Sequence, residues 1–222
     1  NVNALEEMGK ALALEAHSED VNLILGPGLN IKRSPLCGRN FEYYSEDPYL
    51  TGKLASAFVN GIQESGAGAC VKHFACNNQE KRRQVSSSII DERTLHEIYL
   101  RAFEIVVKNS KPAAVMASYN KINGVYACQN KMLLTELLRK KWGYKGFVVS
   151  DWGACINPSK CLKAGLDLAM PDSHGYFSKQ LTKALEDGEI TEKELDNANK
   201  NVLTAAKKLN ESHIDLKVDY IQ

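Results

Sequence analysis

The sequence predicts an α/β fold, an incomplete (β/α)8 barrel of the TIM type that lacks its early strand or strands. Three observations carry that expectation. Apolar runs of strand length alternate with stretches of helical periodicity along nearly the whole chain, the pattern of a parallel sheet with crossover helices. Roughly five strands are visible where a closed barrel needs eight, and the 222 residues fall short of the roughly 250 such a barrel takes. Several strands also end in polar side chains, at the edge where parallel α/β folds keep their chemistry.

Residues 3–17 repeat apolar positions at helical spacing and lead into a strand over Val21–Gly26. Gly26-Pro27-Gly28 breaks it, and a polar loop runs from about Asn30 to Pro48. A helix over Tyr49–Gln63 ends at Ser65-Gly66-Ala67-Gly68, and the strand Ala69–Phe74 follows. After the loop 77–88 comes a helix from Asp91 to Asn109, with acids at its positive end. Pro112 introduces the strand Ala113–Tyr119; a loop, a helix over 130–141 and the strand Gly146–Ser150 complete the next unit. A helix to Lys163, a strand over Leu166–Pro171 and helices near 176–187 and 191–209 close the pattern. Residues 1–209 therefore read as one partial barrel domain, and 210–222 as a polar tail or the start of a linker.

Composition narrows the function. A chain 44% hydrophobic and 25% charged suits one globular domain, and a net charge of +1 argues against nucleic acid or an anionic membrane as partner. No apolar run approaches the roughly 20 residues of a membrane span. The six cysteines form no CxxC pair and several lie in apolar runs, which suits buried thiols in a reducing cytosol. No metal-ligand spacing is present, and no cofactor is called for.

The stretch Gly146-Phe147-Val148-Val149-Ser150-Asp151-Trp152-Gly153 delivers an acid and an aromatic to a strand's C-terminal end. Asp151 is either a reagent or the N-cap of the next helix. Other strand ends and loops tip the balance: Arg39 with Glu42, Lys72-His73, Arg83 and Tyr119 would converge on the same face. Cations and a His that donate hydrogen bonds suit hydroxyl groups, and Trp152 offers a flat face to a sugar ring. An acid among such cations stays ionised and serves as a nucleophile or electrostatic stabiliser, not as a general acid. Duller roles exist: Arg39 could merely brace its loop against Glu42, Glu46 or Asp47, and Tyr119 could be core. Lys72-His73 could be a solvated strand edge, yet adjacent strand residues point to opposite sides, so the two should not both be idle. His17, His96, His174 and His213 are given no chemical role.

Four runs in order, GRNFEYYSEDPYL (38–50), KHFACNNQE (72–80), MASYNKINGVYA (116–127) and GFVVSDWGA (146–154), resemble glycoside hydrolase family 3 and are most similar to its bacterial β-glucosidase branch. The resemblance covers residues 1 to about 209. It implies a retaining double displacement with Asp151 as nucleophile. It also implies a first sugar subsite lined by Arg39, Lys72, His73, Arg83, Met116, Tyr119 and Trp152. Two family features have no counterpart among the 222 residues: an aspartate upstream of a segment like residues 1–25, and the acid/base glutamate of a following α/β sandwich domain. The partners implied are a small β-glucoside-like carbohydrate and that sandwich domain of the same polypeptide. The loop 77–83 carries neither the His nor the Asp that single-domain β-N-acetylglucosaminidases place there. A non-catalytic sugar-binding or assembly fragment that needs a partner chain is the alternative from another class.

Overall fold

The computed structural model describes residues 1–172 and 174–216. The elements run α1 (Val2–Ser18), β1 (Leu23–Ile24), α2 (Pro48–Glu64), β2 (Gly68–Phe74) and β3 (Ser87–Ser88), then α3 (Glu92–Thr94) and α4 (Arg101–Ser110). There follow β4 (Ala114–Ala117), β5 (Lys121–Ile122), β6 (Val125–Tyr126), β7 (Phe147–Ser150), α5 (Pro158–Ala164), α6 (Tyr176–Glu186) and α7 (Glu192–Ser212). Local chemistry explains most of these boundaries. Asp47 caps α2 by accepting from the Tyr49 and Leu50 amides, with Pro48 in the first turn where its missing N–H costs nothing. Thr191 and Glu194 cap α7 reciprocally in a capping box.

Four parallel strands make an open sheet in the order β1-β2-β4-β7. Among the described residues the sheet does not close into a barrel. A small second sheet, β3-β5-β6, folds over the loops beyond the C-terminal ends of β2 and β4. Side chains alternate between the two faces of the main sheet. Val71, Val115, Ala117 and Val148 pack under α2 and α4 in the larger core. Cys70, Ala114, Met116, Phe147 and Val149 form a smaller core on the other face, against Leu168, Met170 and Val202 and Ala205 of α7. Asp151 continues that second face.

Several elements differ from expectation. The helix expected over Asp91–Asn109 contains a π-helical turn, Leu95–Tyr99, where the Leu100 amide reaches back five residues to the Leu95 carbonyl. Residues Met132–Lys141 are wound the same way. The strand expected at Leu166–Pro171 keeps a single ladder pair, Leu168 with Val149. The segment still runs beside β7, with Leu168 donating to the Val148 carbonyl at 3.0 Å and accepting the Ser150 amide at 2.9 Å, and Met170 accepting the Gly153 amide at 2.8 Å. Asp167 adds to this with its side chain, which accepts the Val148 amide at 2.7 Å and pairs with Arg139, while Asn201 of α7 donates to it at 2.9 Å. The expected tail starts later than residue 210, since α7 runs to Ser212 and Ser212 Oγ donates to the Gly66 carbonyl at 2.8 Å. Residues 217–222 of that tail lie outside the described residues. All six cysteines are free and buried. No helix among the described residues is long and apolar enough to cross a membrane.

Helices α1 and α2 meet at two glycines. A Cβ on Gly9 would strike the Phe58 carbonyl, and one on Gly61 the Glu6 carbonyl, so backbone meets backbone with nothing flexible to give. Gly61→Ala is therefore expected to push the helices apart and cost about 1–3 kcal/mol, as overpacking does. A urea unfolding midpoint unchanged from the parent chain would refute that close packing.

Candidate active site

The sheet ladder extends one residue past β7: the Asp151 amide donates to the Ala117 carbonyl at 2.9 Å. The Asp151 carbonyl in turn accepts from Ala154, and Oδ1 accepts the Trp152 amide at 2.8 Å. The acid does not cap α5, whose N-cap is Asn157. Asp151 is buried, and its Oδ2 has no hydrogen-bond partner. That oxygen faces Arg39 Nη1 at 3.9 Å and His73 Nε2 at 3.8 Å.

Arg39 comes from the loop before α2 and Lys72 from β2, and one acid holds both. Glu42 takes Arg39 Nε at 2.5 Å and Lys72 Nζ at 3.1 Å. The loop-bracing pair of Arg39 with Glu42 and the site role are thus the same structure. The pairing of β2 with β4 shifts between Val71 and Phe74, and from this irregular stretch Lys72 reaches Glu42 while His73 faces Asp151, so neither is idle. Arg83 is paired with Glu80 at 2.5 Å and lies 4.4 Å above the centre of the Tyr119 ring. Tyr119 approaches the Asp151 carboxylate without a well-aligned hydrogen bond; burial, then that negative charge, raises its phenol above the ordinary range. Two of the expected residues stand apart from this polar cluster. Met116 is buried in the smaller core below it, and the Trp152 side chain is half open to solvent at the rim.

Behind the cluster lies a buried network that the sequence reading did not name. Asn30 Nδ2 donates to the His73 carbonyl at 2.9 Å, and Asn30 Oδ1 accepts the His73 amide at 2.8 Å. Tyr43 Oη and Asn30 Oδ1 lie 3.1 and 3.2 Å from His73 Nδ1. Asn77 donates to Tyr43 Oη at 3.3 Å and to Glu80 at 3.1 Å. Of these, only the Glu80/Arg83 spacing is a signal that the sequence carries. Burial, followed by the charges of Arg39, Lys72 and Arg83, pushes His73 down to about 2, so its ring is neutral at any ordinary pH. Burial likewise pushes Tyr43 up, keeping its hydroxyl proton. No cluster of three or more potential metal ligands occurs among the described residues.

Residues 1–205 match the family model described as the glycosyl hydrolase family 3 N terminal domain. The chain belongs to glycosyl hydrolase family 3. Over 199 residues it is 53% identical to thermostable beta-glucosidase B of Acetivibrio thermocellus, covering 90% of this chain and 26% of that protein. Over 196 residues it is 50% identical to an exo-alpha-(1->6)-L-arabinopyranosidase of Bifidobacterium breve, with 88% and 26% covered. The structure of beta-glucosidase 3B from Thermotoga neapolitana in complex with glucose superposes with a TM-score of 0.92 at 48% identity, over 97% of this chain and 32% of that one. The Bifidobacterium adolescentis family 3 beta-glucosidase gives 0.95 at 46% identity, over 100% and 33%. The 222 residues thus span about a quarter of the length of those curated relatives and about a third of those solved chains.

A histidine kept neutral by the fold makes stability depend on pH. Its folded value lies below the unfolded one, so the unfolded chain binds the proton first. Its contribution is complete above roughly pH 6.5 and is lost as the pH falls from there, by at most about 1.4 kcal/mol per pH unit. In urea unfolding at pH 7.5 and 5.0, the native chain should lose stability on acidification, and His73→Gln should lose less. Equal losses in both would show that His73 is not held neutral.

Proposed function

We propose that the chain carries the nucleophile and most of the first sugar subsite of a retaining β-glucosidase-like glycosidase. The observation that carries this reading is the Asp151 carboxylate: buried, fixed through its own backbone, and presenting an unpartnered Oδ2 among Arg39, His73 and Tyr119. In the reaction that oxygen attacks the anomeric carbon as the bond to the leaving-group oxygen breaks, which gives a glycosyl-enzyme ester. Water then attacks the same carbon and restores the carboxylate. Arg39, Lys72, His73 and Arg83 supply hydrogen-bonding groups for hydroxyls, and Trp152 an open aromatic face for the sugar ring.

The leaving group needs a proton. Glu42 is committed to Arg39 and Lys72, and Glu80 to Arg83, so neither suits that role. We assign the proton donor to a part of the polypeptide outside these residues, the following α/β sandwich domain. Without that donor, turnover of unactivated glycosides should fall by about 10²–10⁴-fold. A 2-fluoro-glucoside with a good leaving group bypasses the donor and traps the ester. Mass spectrometry after incubation should find one adduct, on the peptide containing Asp151, and none in Asp151→Asn. An adduct elsewhere, or undiminished labelling of Asp151→Asn, would overturn the assignment of the nucleophile.

A further inference from the structure

His73 is neutral, so one ring nitrogen carries a proton and the other a lone pair. The surroundings decide which. Asn30 cannot be turned over: its oxygen accepts the His73 amide and its nitrogen donates to the His73 carbonyl, and reversal would set like against like at both positions. The atom 3.2 Å from Nδ1 is therefore an oxygen that can only accept, which favours the proton on Nδ1. Tyr43 agrees with this, because its oxygen can share the same N–H at 3.1 Å while its own hydrogen points to the Asn77 carbonyl at 3.4 Å. Nε2 is left with the lone pair. It is buried, has no partner, and faces the equally unpartnered Oδ2 of Asp151 at 3.8 Å. Two acceptors set against each other call for a donor from the ligand.

We propose that Asn30 is a positioning residue that locks His73 in the Nδ1–H form, so that Nε2 accepts a hydrogen bond from a sugar hydroxyl instead of donating one. The ring state stands on the geometry alone; the identity of the donor rests on the glycosidase reading above. This reverses the donor role that the sequence suggests for His73. Asn30 carries out the task with one side chain, which clamps the His73 peptide and fixes the proton on the ring.

Long-range ¹H–¹⁵N spectra of histidine-labelled protein at pH 7 read the ring directly. Nδ1 of His73 should resonate as a protonated nitrogen and Nε2 as an unprotonated one; the opposite pattern would overturn the proposal. Tyr43→Phe removes only the hydroxyl and should keep the pattern. Asn30→Ala should let the Tyr43 hydroxyl donate to Nδ1 and move the ring proton to Nε2. Loss of the Nδ1–H pattern in Tyr43→Phe would transfer the role to Tyr43 and refute the assignment to Asn30. If the alanine variant fails to fold, the spectra of the parent protein and of the phenylalanine variant still decide. Calorimetry with glucose and its monofluoro derivatives tests the ligand. At one position fluorine, which cannot donate, should weaken binding roughly tenfold, and His73→Ala should erase that penalty. A penalty at no position would refute the acceptor role. Failure of Asp151 to be trapped, with the ring pattern intact, would sink the glycosidase reading and leave the role of Asn30 standing.

Discussion

A carboxylate buried at the end of a strand is costly unless charge and hydrogen bonds meet it, and the loops around β7 are arranged to meet this one. The hydrogen bond from the Asp151 amide to Ala117 settles where the acid sits; everything else comes to it. Arg39 arrives from the loop before α2, His73 from the irregular end of β2, and Tyr119 from beyond β4. Those groups need restraints of their own, which Glu42 supplies to Arg39 and Lys72, and Glu80 to Arg83. Three cations, Arg39, Lys72 and Arg83, thus stand with three carboxylates, Glu42, Glu80 and Asp151, around a neutral histidine. A balanced cluster suits an uncharged, hydroxyl-rich ligand better than an ionic one, because neither sign of charge dominates.

The order of the charges has a chemical consequence. Glu42 and Glu80 each lie within 3.1 Å of a cation nitrogen, while Asp151 Oδ2 keeps about 3.9 Å from its nearest ones. The first two acids have strong partners and hold them in place. The third is stabilised from a distance, with its oxygen still available. Nucleophiles need that arrangement, since a carboxylate in a tight bidentate pair would have to break it before attacking.

Much of this was legible in the sequence, and the reasons are local. Apolar runs closed by polar residues located β2, β4 and β7, and with them Lys72, His73, Tyr119 and Asp151. Helices α2 and α7 lie close to where they were expected, at 49–63 and 191–209, and their caps, Asp47 and Thr191 with Glu194, act within one turn. What could not be read depends on contacts between distant segments. Asn30 and His73 are 43 residues apart, and nothing about Asn30 in the chain announces a clamp. The register shift in β2 beside Lys72 and His73 belongs to the pairing of two strands, and neither strand's own sequence announces it. Asp167 likewise takes the Val148 amide with its side chain, a bond that the hydrophobic pattern of the expected strand does not foretell.

Asp167 and Asp151 make the clearest contrast, because in the sequence each is an acid beside apolar strand residues. Both are drawn into the protein next to an arginine. Asp167 accepts from the Val148 amide, Asn201 and Arg139, which ties β7 to α7 and to the π-wound helix and satisfies both of its oxygens. Asp151 accepts one backbone amide and leaves Oδ2 without a hydrogen bond. An unsatisfied buried carboxylate oxygen costs stability, commonly about 1–3 kcal/mol or more for a charged group. A fold that satisfies one aspartate completely and leaves the other half-satisfied, beside an equally unpartnered His73 Nε2, carries that cost at a place where a ligand can repay it. The difference between a fully paired acid and one with an oxygen free for a ligand is decided by partners distant in the chain, such as Asn201, 34 residues from Asp167.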